Sequence, residues 1–182
     1  MRVISGTARG MRLSTLDGLD VRPTTDKVKE SLFNIIQFEV EGRRVLDLFA
    51  GSGQLGIEAL SRGAEHATFV DRSPKAVSVV RENLDRTRLA PRATVRQEEA
   101  KAFLVKTRET FDVALLDPPY GKGLIESVLE DLTAHMSDYG IIVCETSREE
   151  SLPDTVSQFS VAKTYHYGKI QLTVYRKKED AS

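Results

Sequence analysis

The sequence feature that most constrains the fold is the segment of residues 43–71. An apolar run at residues 44–49 has the composition of a buried parallel strand. A turn with two glycines follows at residues 50–53, then an amphipathic helix at residues 54–62, and then a second apolar strand at residues 67–70. This order of strand, glycine turn, helix and strand is typical of βαβ units that bind nucleotides, so it predicts an α/β fold.

The glycine turn predicts a ligand site. Gly51, Gly53 and Gly56 satisfy the G-x-G-x-x-G pattern, and Asp71 stands where an acid can accept from both ribose hydroxyls. The pattern alone leaves a dehydrogenase or a non-catalytic NAD-binding module open. Asp47 argues against both, because a carboxylate just before the glycines would lie beside the pyrophosphate. It suits the ammonium of an amino acid instead, and a ligand with ribose, adenine and an amino-acid tail fits S-adenosylmethionine.

The rest of the chain continues the alternation of strands and helices. Ser73 and Pro74 predict a helix start. The strand predicted at residues 93–97 ends in two acids, of which Glu99 is the preferred acceptor for the adenine amino group and Glu98 the alternative. Acids enriched at a helix N-terminus would explain them nearly as well. Later elements are predicted as strands at residues 111–116 and 140–145, a helix from residue 124, a polar loop at residues 148–156 and a terminal antiparallel hairpin at residues 160–176.

Four residues after the fourth strand predict a catalytic site: Asp117, Pro118, Pro119 and Tyr120. The prolines end the strand and stiffen its end, where ligands of open α/β sheets bind. The Asp117 carboxylate and the Pro118 carbonyl can accept both hydrogens of an exocyclic amino group, which directs the nitrogen lone pair at an electrophile. Tyr120 can stack on a flat ring. A proline loop with a capping Asp and a surface Tyr is the alternative.

The N-terminal residues are candidates for contact with phosphates. Residues 1–22 are rich in glycine and arginine, and the pattern indicates a β-hairpin followed by an amphipathic helix that continues to about residue 38. Arginines on a glycine-rich arm suit phosphate contacts, and free N–H groups at the helix start favour an anion. A solvated arm and an ordinary helix cap are the alternatives. The candidate residues are Arg9, Arg12, Arg22, Thr24, Thr25 and Lys27.

Composition narrows the class of protein. The chain has 182 residues, a formal net charge of −1 and one cysteine, Cys144, so no intrachain disulfide is expected. The charge argues against a uniformly basic nucleic-acid binder but leaves a local basic face open. No run is long enough to span a membrane, no signal peptide is recognised, and the three histidines lack metal-ligand spacing. We therefore expect a cytoplasmic protein without a bound metal.

Four blocks occur together and in order, at residues 4–10, 22–34, 47–64 and 117–120. They resemble the bacterial 16S ribosomal RNA guanine-N2 methyltransferase family called RsmD, and the resemblance covers nearly the whole chain. Gln54 stands where that family usually has a small residue, and Glu99 stands where an Asp is common.

The resemblance implies a single Rossmann-like domain of the S-adenosylmethionine-dependent methyltransferase class. Its sheet would have seven mostly parallel strands with an antiparallel last strand. Residues 1–40 would form an RNA-facing hairpin and helix, and residues 41–182 the catalytic core. The implied reaction is methyl transfer to N2 of one guanine in 16S rRNA, within an assembling or assembled small ribosomal subunit. The expected cofactor-binding residues are Asp47, Phe49, Ala50, Gly51, Ser52, Gly53, Asp71, Arg72, Glu99 and Ala100.

Overall fold

A computed structural model describes residues 1–16 and 26–179. Within these residues, eight strands form one sheet in the order β3-β2-β1-β4-β5-β8-β7-β6. The strands are β1 Arg44–Asp47, β2 His66–Asp71, β3 Ala93–Gln97, β4 Phe111–Leu116, β5 Met136–Ser147, β6 Thr155–Val156, β7 Phe159–Tyr167 and β8 Ile170–Lys177. Strands β1 to β5 pair in parallel, and β6, β7 and β8 pair antiparallel to their neighbours.

Helices cover both faces of this sheet. They are α1 Asp26–Ile35, α2 Gln54–Ser61, α3 Pro74–Thr87, α4 Ala100–Lys106 and α5 Leu124–Thr133. Because successive side chains of a strand point to opposite faces, Val45 of β1 joins the core beneath α1, α2 and α3, and Leu46 joins the core beneath α4 and α5. Burial on both faces explains the nearly continuous apolar runs of these strands.

The order of the strands positions a ligand site. Strand β1 lies between β2 and β4. The chain adds β2 and β3 on one side of β1, and it then crosses to the other side of β1 to add β4 and β5. In open α/β sheets, a crevice forms outside the carboxyl ends of the strands at such a switch point. The glycine turn follows β1 and Asp117 follows β4, so both lie at this edge.

The predicted α/β class is confirmed, with corrections to its details. The sheet has eight strands where seven were expected, because Thr155 and Val156, placed in a polar loop by the sequence, pair with Ser160 and Phe159. Helix α1 ends at Ile35, three residues before the expected end. Within the part of the chain that the structure describes, no helix has the length and apolar character required to cross a membrane.

The N-terminal arm, defined here as residues 1–16, packs against α2. Its predicted hairpin is present in the described residues as one antiparallel bridge, Arg2 with Arg12, and as backbone hydrogen bonds between its two sides: the Val3 N–H donates to the Met11 carbonyl at 2.9 Å, and the Leu13 N–H donates to the Met1 carbonyl at 3.0 Å. The turn of the hairpin packs on α2, where the Thr7 N–H donates to the Ser61 carbonyl at 2.8 Å. Gly6 has φ +88°, and a Cβ there would lie 1.8 Å from the same carbonyl oxygen, so no other residue fits.

Candidate functional site

A cavity of about 740 Å³ opens at the carboxyl ends of β1, β2 and β4, and we call it the main cavity. It brings together most residues predicted for the cofactor and part of the predicted catalytic motif. Those that line it are Asp47, Phe49, Ala50, Gly51, Ser52, Asp71, Arg72, Glu99, Ala100, Asp117, Pro118 and Pro119. Gly53 and Tyr120, also predicted, are not part of its lining. Its size is in the range of pockets that enclose small-molecule ligands.

The glycine turn at the bottom of the main cavity is held to β2 by Asp71. The Gly51 N–H donates to one Asp71 carboxylate oxygen at 2.9 Å, and the Ser73 N–H donates to the other at 2.9 Å. Gly51 and Gly53 have φ values of +57° and +81°, which L side chains rarely adopt. Each Asp71 oxygen keeps a second acceptor site, so the carboxylate can bind ribose hydroxyls while it holds the turn.

Asp47 places a strongly perturbed carboxylate in the main cavity. Its side chain is 1% exposed, and its Oδ2 accepts from the Gly56 N–H at 3.0 Å. Its Oδ1 has no hydrogen-bond partner among the described residues. Burial raises the pKa of the Asp47 carboxyl well above its usual range, and the nearby carboxylates of Asp117 and Asp71 raise it further. A buried acceptor of this kind is stabilised by a cationic ligand and is unfavourable beside a phosphate.

Two further groups around the main cavity are acceptors that the adenosine prediction concerns. Gln54 is 7% exposed, and its buried Oε1 has no hydrogen-bond partner among the described residues, so the main cavity offers a second acceptor beside the glycine turn. The Glu99 side chain is 65% exposed and lies 3.7 Å from Arg72. Glu98 is half-buried, and both acids line the main cavity. The choice between Glu98 and Glu99 as the adenine acceptor therefore stays open.

The loop after β4 is held by two acids, Glu145 of β5 and Glu150 of the loop that follows β5. The Tyr120 hydroxyl donates to Glu145 Oε1 at 3.2 Å. The Gly121 N–H donates to Glu150 Oε1 at 2.6 Å, while Glu150 Oε2 accepts from the Ser147 N–H at 3.1 Å. Pro118 is buried and Asp117 is half-buried. The motif is thus a fixed element at the edge of the sheet.

Comparison with known proteins decides the family. The family model described as "Conserved hypothetical protein 95" matches residues 1–176. The chain belongs to this family, the RsmD family. It is 44% identical over 183 residues to "Putative rRNA methyltransferase YlbH" of Bacillus subtilis, covering 98% of this chain and 100% of that protein. It is 34% identical over 180 residues to "Ribosomal RNA small subunit methyltransferase D" of Escherichia coli K12, covering 97% and 90% respectively.

A solved structure agrees with this assignment. The structure described as "Putative methyltransferase yhhF from Escherichia coli" superposes with a TM-score of 0.86 at 35% identity, covering 98% of each chain. The RsmD-family fold predicted from the four sequence blocks is therefore confirmed.

The RsmD-family arm contributes to the main cavity in a way that the sequence did not predict. Met1, Thr15 and Leu16 line the main cavity. Asn83 of α3 is fully buried and connects the arm to the glycine turn: its Oδ1 accepts from the Ser14 N–H at 2.8 Å, and its Nδ2 donates to the Ser14 and Ser52 carbonyls at 3.0 and 2.9 Å.

The sequence patterns did not predict the two charged side chains that are buried between α1 and α2. Glu58 of α2 and Lys29 of α1 are both fully buried. A signal for Glu58 was present, since it stands three residues after Leu55 and therefore on the apolar face of the predicted helix. Lys29 follows the buried Val28 directly, and its partners lie far away in the sequence, so no local pattern marked it.

The residues predicted to contact RNA are only partly described. Arg9, Arg12 and Lys27 are exposed. Arg22, Thr24 and Thr25 lie outside the described residues. Among the described residues, no group of three or more His, Cys, Asp or Glu side chains could hold a metal ion.

Proposed function

We propose that this protein transfers a methyl group from S-adenosylmethionine to the exocyclic N2 of a guanine in 16S rRNA. The observation that carries the proposal is the shared wall of the main cavity, to which Asp47 and Asp71 of the nucleotide-binding half and Asp117 and Pro118 of the amino-group motif all contribute. Relatives that are named small-subunit rRNA methyltransferases support rRNA as the substrate.

The residues of the main cavity fit the proposed donor. Asp47 Oδ1 is a buried acceptor that suits the ammonium of the amino-acid tail, and Asp71 suits the ribose hydroxyls. Gln54 Oε1 and one of the two acids, Glu98 or Glu99, offer further acceptors for adenosine. A pyrophosphate beside Asp47 would meet a buried carboxylate, which disfavours NAD at this site. When bound, S-adenosylmethionine supplies an electrophilic methyl group.

The motif after β4 would position the base for attack. The guanine leaves its stack, as bases do in enzymes that modify them. Asp117 and the Pro118 carbonyl accept from the two N2 hydrogens, and Tyr120 stacks on the ring. The bound donor would supply the methyl group, which would bond to N2 as its bond to the sulfonium sulfur breaks, and one amino proton would leave to solvent. Asp117 stabilises the positive charge that develops on the nitrogen.

The test is the variant Asp117→Ala, measured with tritiated donor on small ribosomal subunits, naked rRNA, DNA and protein. We expect transfer to rRNA to fall by at least 100-fold, within the range found when one transition-state contact is removed, while calorimetry shows cofactor binding preserved. The control Asp138→Ala removes an exposed carboxylate that pairs with Lys177, remote from the main cavity. Near-wild-type transfer by Asp117→Ala, or methylation confined to DNA or protein, contradicts the proposal.

The methylated nucleotide and the form of the substrate are part of the proposal. Mapping the nucleotide on small-subunit rRNA checks the guanine N2 assignment. With a net charge of −1, the protein makes few non-specific phosphate contacts, so we propose that ribosomal proteins complete its site. Assembled subunits are then methylated faster than naked rRNA, and equal rates count against this step. Arg9, Arg12, Arg22, Thr24, Thr25 and Lys27 are the proposed RNA contacts.

A further inference from the structure

A smaller cavity of about 230 Å³ lies beside the main cavity, and we call it the side cavity. The two share three lining residues, Pro118, Pro119 and Leu124. A single water needs only about 10–15 Å³ of such space, so the side cavity has room for a planar ring. A base seated there would lie against Pro118 and Pro119, which also line the main cavity, and Pro118 follows Asp117 of the main cavity directly in the chain.

Glu145 forms a buried part of the wall of the side cavity. The register of the parallel strands pairs Leu116 of β4 with Cys144 of β5. Strand β4 ends at Leu116, and continuing its register by one residue would bring Asp117 opposite Glu145 at the carboxyl edge of the sheet. Glu145 is 1% exposed and lines the side cavity. The Tyr120 hydroxyl helps to compensate for the burial of this carboxylate, but a neutral acceptor could bond that hydroxyl too, so the choice of an acid at this place needs an explanation.

The donor pattern of guanine supplies one. The edge that carries N2 presents two amino hydrogens and the adjacent N1–H, three donors in all. Asp117 and the Pro118 carbonyl account for the amino hydrogens, which leaves N1–H for a third acceptor. An ionised carboxylate is acceptor-only. Adenine has an acceptor at N1, which a carboxylate disfavours.

We propose that Glu145 selects guanine by accepting the N1–H of the base in the side cavity. The inference rests on the guanine-N2 transfer proposed above and names the residue that determines its base specificity. The bond from the Tyr120 hydroxyl to Glu145 Oε1, at 3.2 Å, fixes the carboxylate beside the ring expected to stack on the base. A merely structural Glu145 would hold Tyr120 in place and have no effect on which base is methylated.

The experiment compares two target bases in otherwise identical rRNA. One RNA carries guanine at the mapped position and the other carries 2,6-diaminopurine, which keeps the 2-amino group but has an acceptor at N1. For each variant the readout is the ratio of kcat/KM for the two RNAs. This ratio does not depend on the fraction of enzyme that is folded, so a destabilised variant still gives an answer.

We expect wild type to prefer guanine by at least tenfold. Glu145→Gln keeps the size of the side chain and gains an amide donor that can face N1 of diaminopurine, so its ratio falls by at least tenfold and approaches or passes unity. The matched control is Tyr120→Phe, which removes the hydroxyl bound to Glu145 but keeps the carboxylate. Its rates fall on both RNAs by a similar factor and its ratio stays near the wild-type value.

The outcomes separate this inference from the proposed function. Wild type that methylates both RNAs equally well, or a Glu145→Gln ratio equal to that of wild type, overturns the role of Glu145 and leaves guanine-N2 transfer standing. Wild type that modifies no guanine N2 in the RNA overturns the proposed function and this inference with it.

Discussion

Replacing Glu58 by Gln tests whether buried charge holds the N-terminal arm on α2. The two Glu58 oxygens accept from the Ile4 N–H at 2.9 Å and the Ser5 N–H at 3.0 Å, and Oε1 also accepts from Arg62 Nε at 3.0 Å. Lys29 Nζ lies 3.8 Å from Oε2, and both side chains are fully buried. Glu58→Gln keeps the volume but removes the charge and turns one acceptor into a donor that faces a backbone N–H or the arginine.

The magnitude follows from the burial. Removing one partner of a buried ion pair costs about 3–5 kcal/mol, because the remaining charge loses its counter-ion, and Lys29 would keep only its bond to the Arg2 carbonyl at 2.6 Å and the more distant charge of Asp26. For a chain of 182 residues, a melting temperature falls by about 2–4 °C per kcal/mol, so we expect a drop of roughly 6–20 °C. Burial lowers the pKa of Lys29, against the raising effect of Glu58. The ammonium can therefore lose its proton at alkaline pH, and the destabilisation is larger at neutral than at alkaline pH.

The assay is thermal and urea denaturation followed by circular dichroism, since the chain has no tryptophan, together with hydrogen exchange at the Ile4 and Ser5 amides. Exchange there accelerates if the arm opens. The control is Glu109→Gln, which also breaks a pair with an arginine, Arg44, at 3.3 Å, but on the surface, where such pairs contribute about 0–1 kcal/mol. Adding Lys29→Met to Glu58→Gln removes the stranded charge, so the double variant loses about 1–3 kcal/mol less than the sum of the singles. A Glu58→Gln cost below about 1 kcal/mol, or additive effects, would refute the reasoning.

Three further variants probe the site and the arm. Asp47→Asn raises the melting temperature but weakens binding of S-adenosylmethionine at least tenfold. Burial raises the pKa of the Asp47 carboxyl in the folded protein, so the charged form destabilises the wild-type fold. The variant's gain in stability over wild type is therefore full above that folded-state pKa and is lost as the pH falls towards the pKa of Asp47 in the unfolded chain. An equal or lower melting temperature at neutral pH contradicts this. Asn83→Ala loses three hydrogen bonds of about 1 kcal/mol each and loosens the glycine turn. We therefore expect lower stability in denaturation and lower cofactor affinity in calorimetry. An unchanged affinity would show that the arm does not support the turn. Gly6→Ala displaces the arm because of its positive φ and its contact with Ser61, whereas Gly10→Ala, with a similar φ of +81° and open space around it, has the smaller effect in the same exchange experiment.

Local sequence patterns predicted most of the core. The strand at residues 93–97 matches β3, and the helix start at Ser73 and Pro74 is confirmed by a Ser73 side chain that accepts from the Ala76 N–H. The turn of Gly51 and Gly53 adopts the positive φ values that its composition requires. These features depend on residues close together in the chain, so their propensities were sufficient. The two-residue strand β6 was missed because its pairing, not its composition, makes it a strand.

The sequence by itself determined the alternation of strands and helices, the glycine turn and the rigid motif at Asp117, because each is set by the conformational preferences of neighbouring residues. Only the tertiary structure decided that Glu145 accepts from Tyr120, that Asn83 connects Ser14 to Ser52, and that Lys29 is buried near Glu58. A buried polar side chain is stable only where donors and acceptors from distant segments meet. That meeting depends on sheet order and strand register, which no local pattern contains.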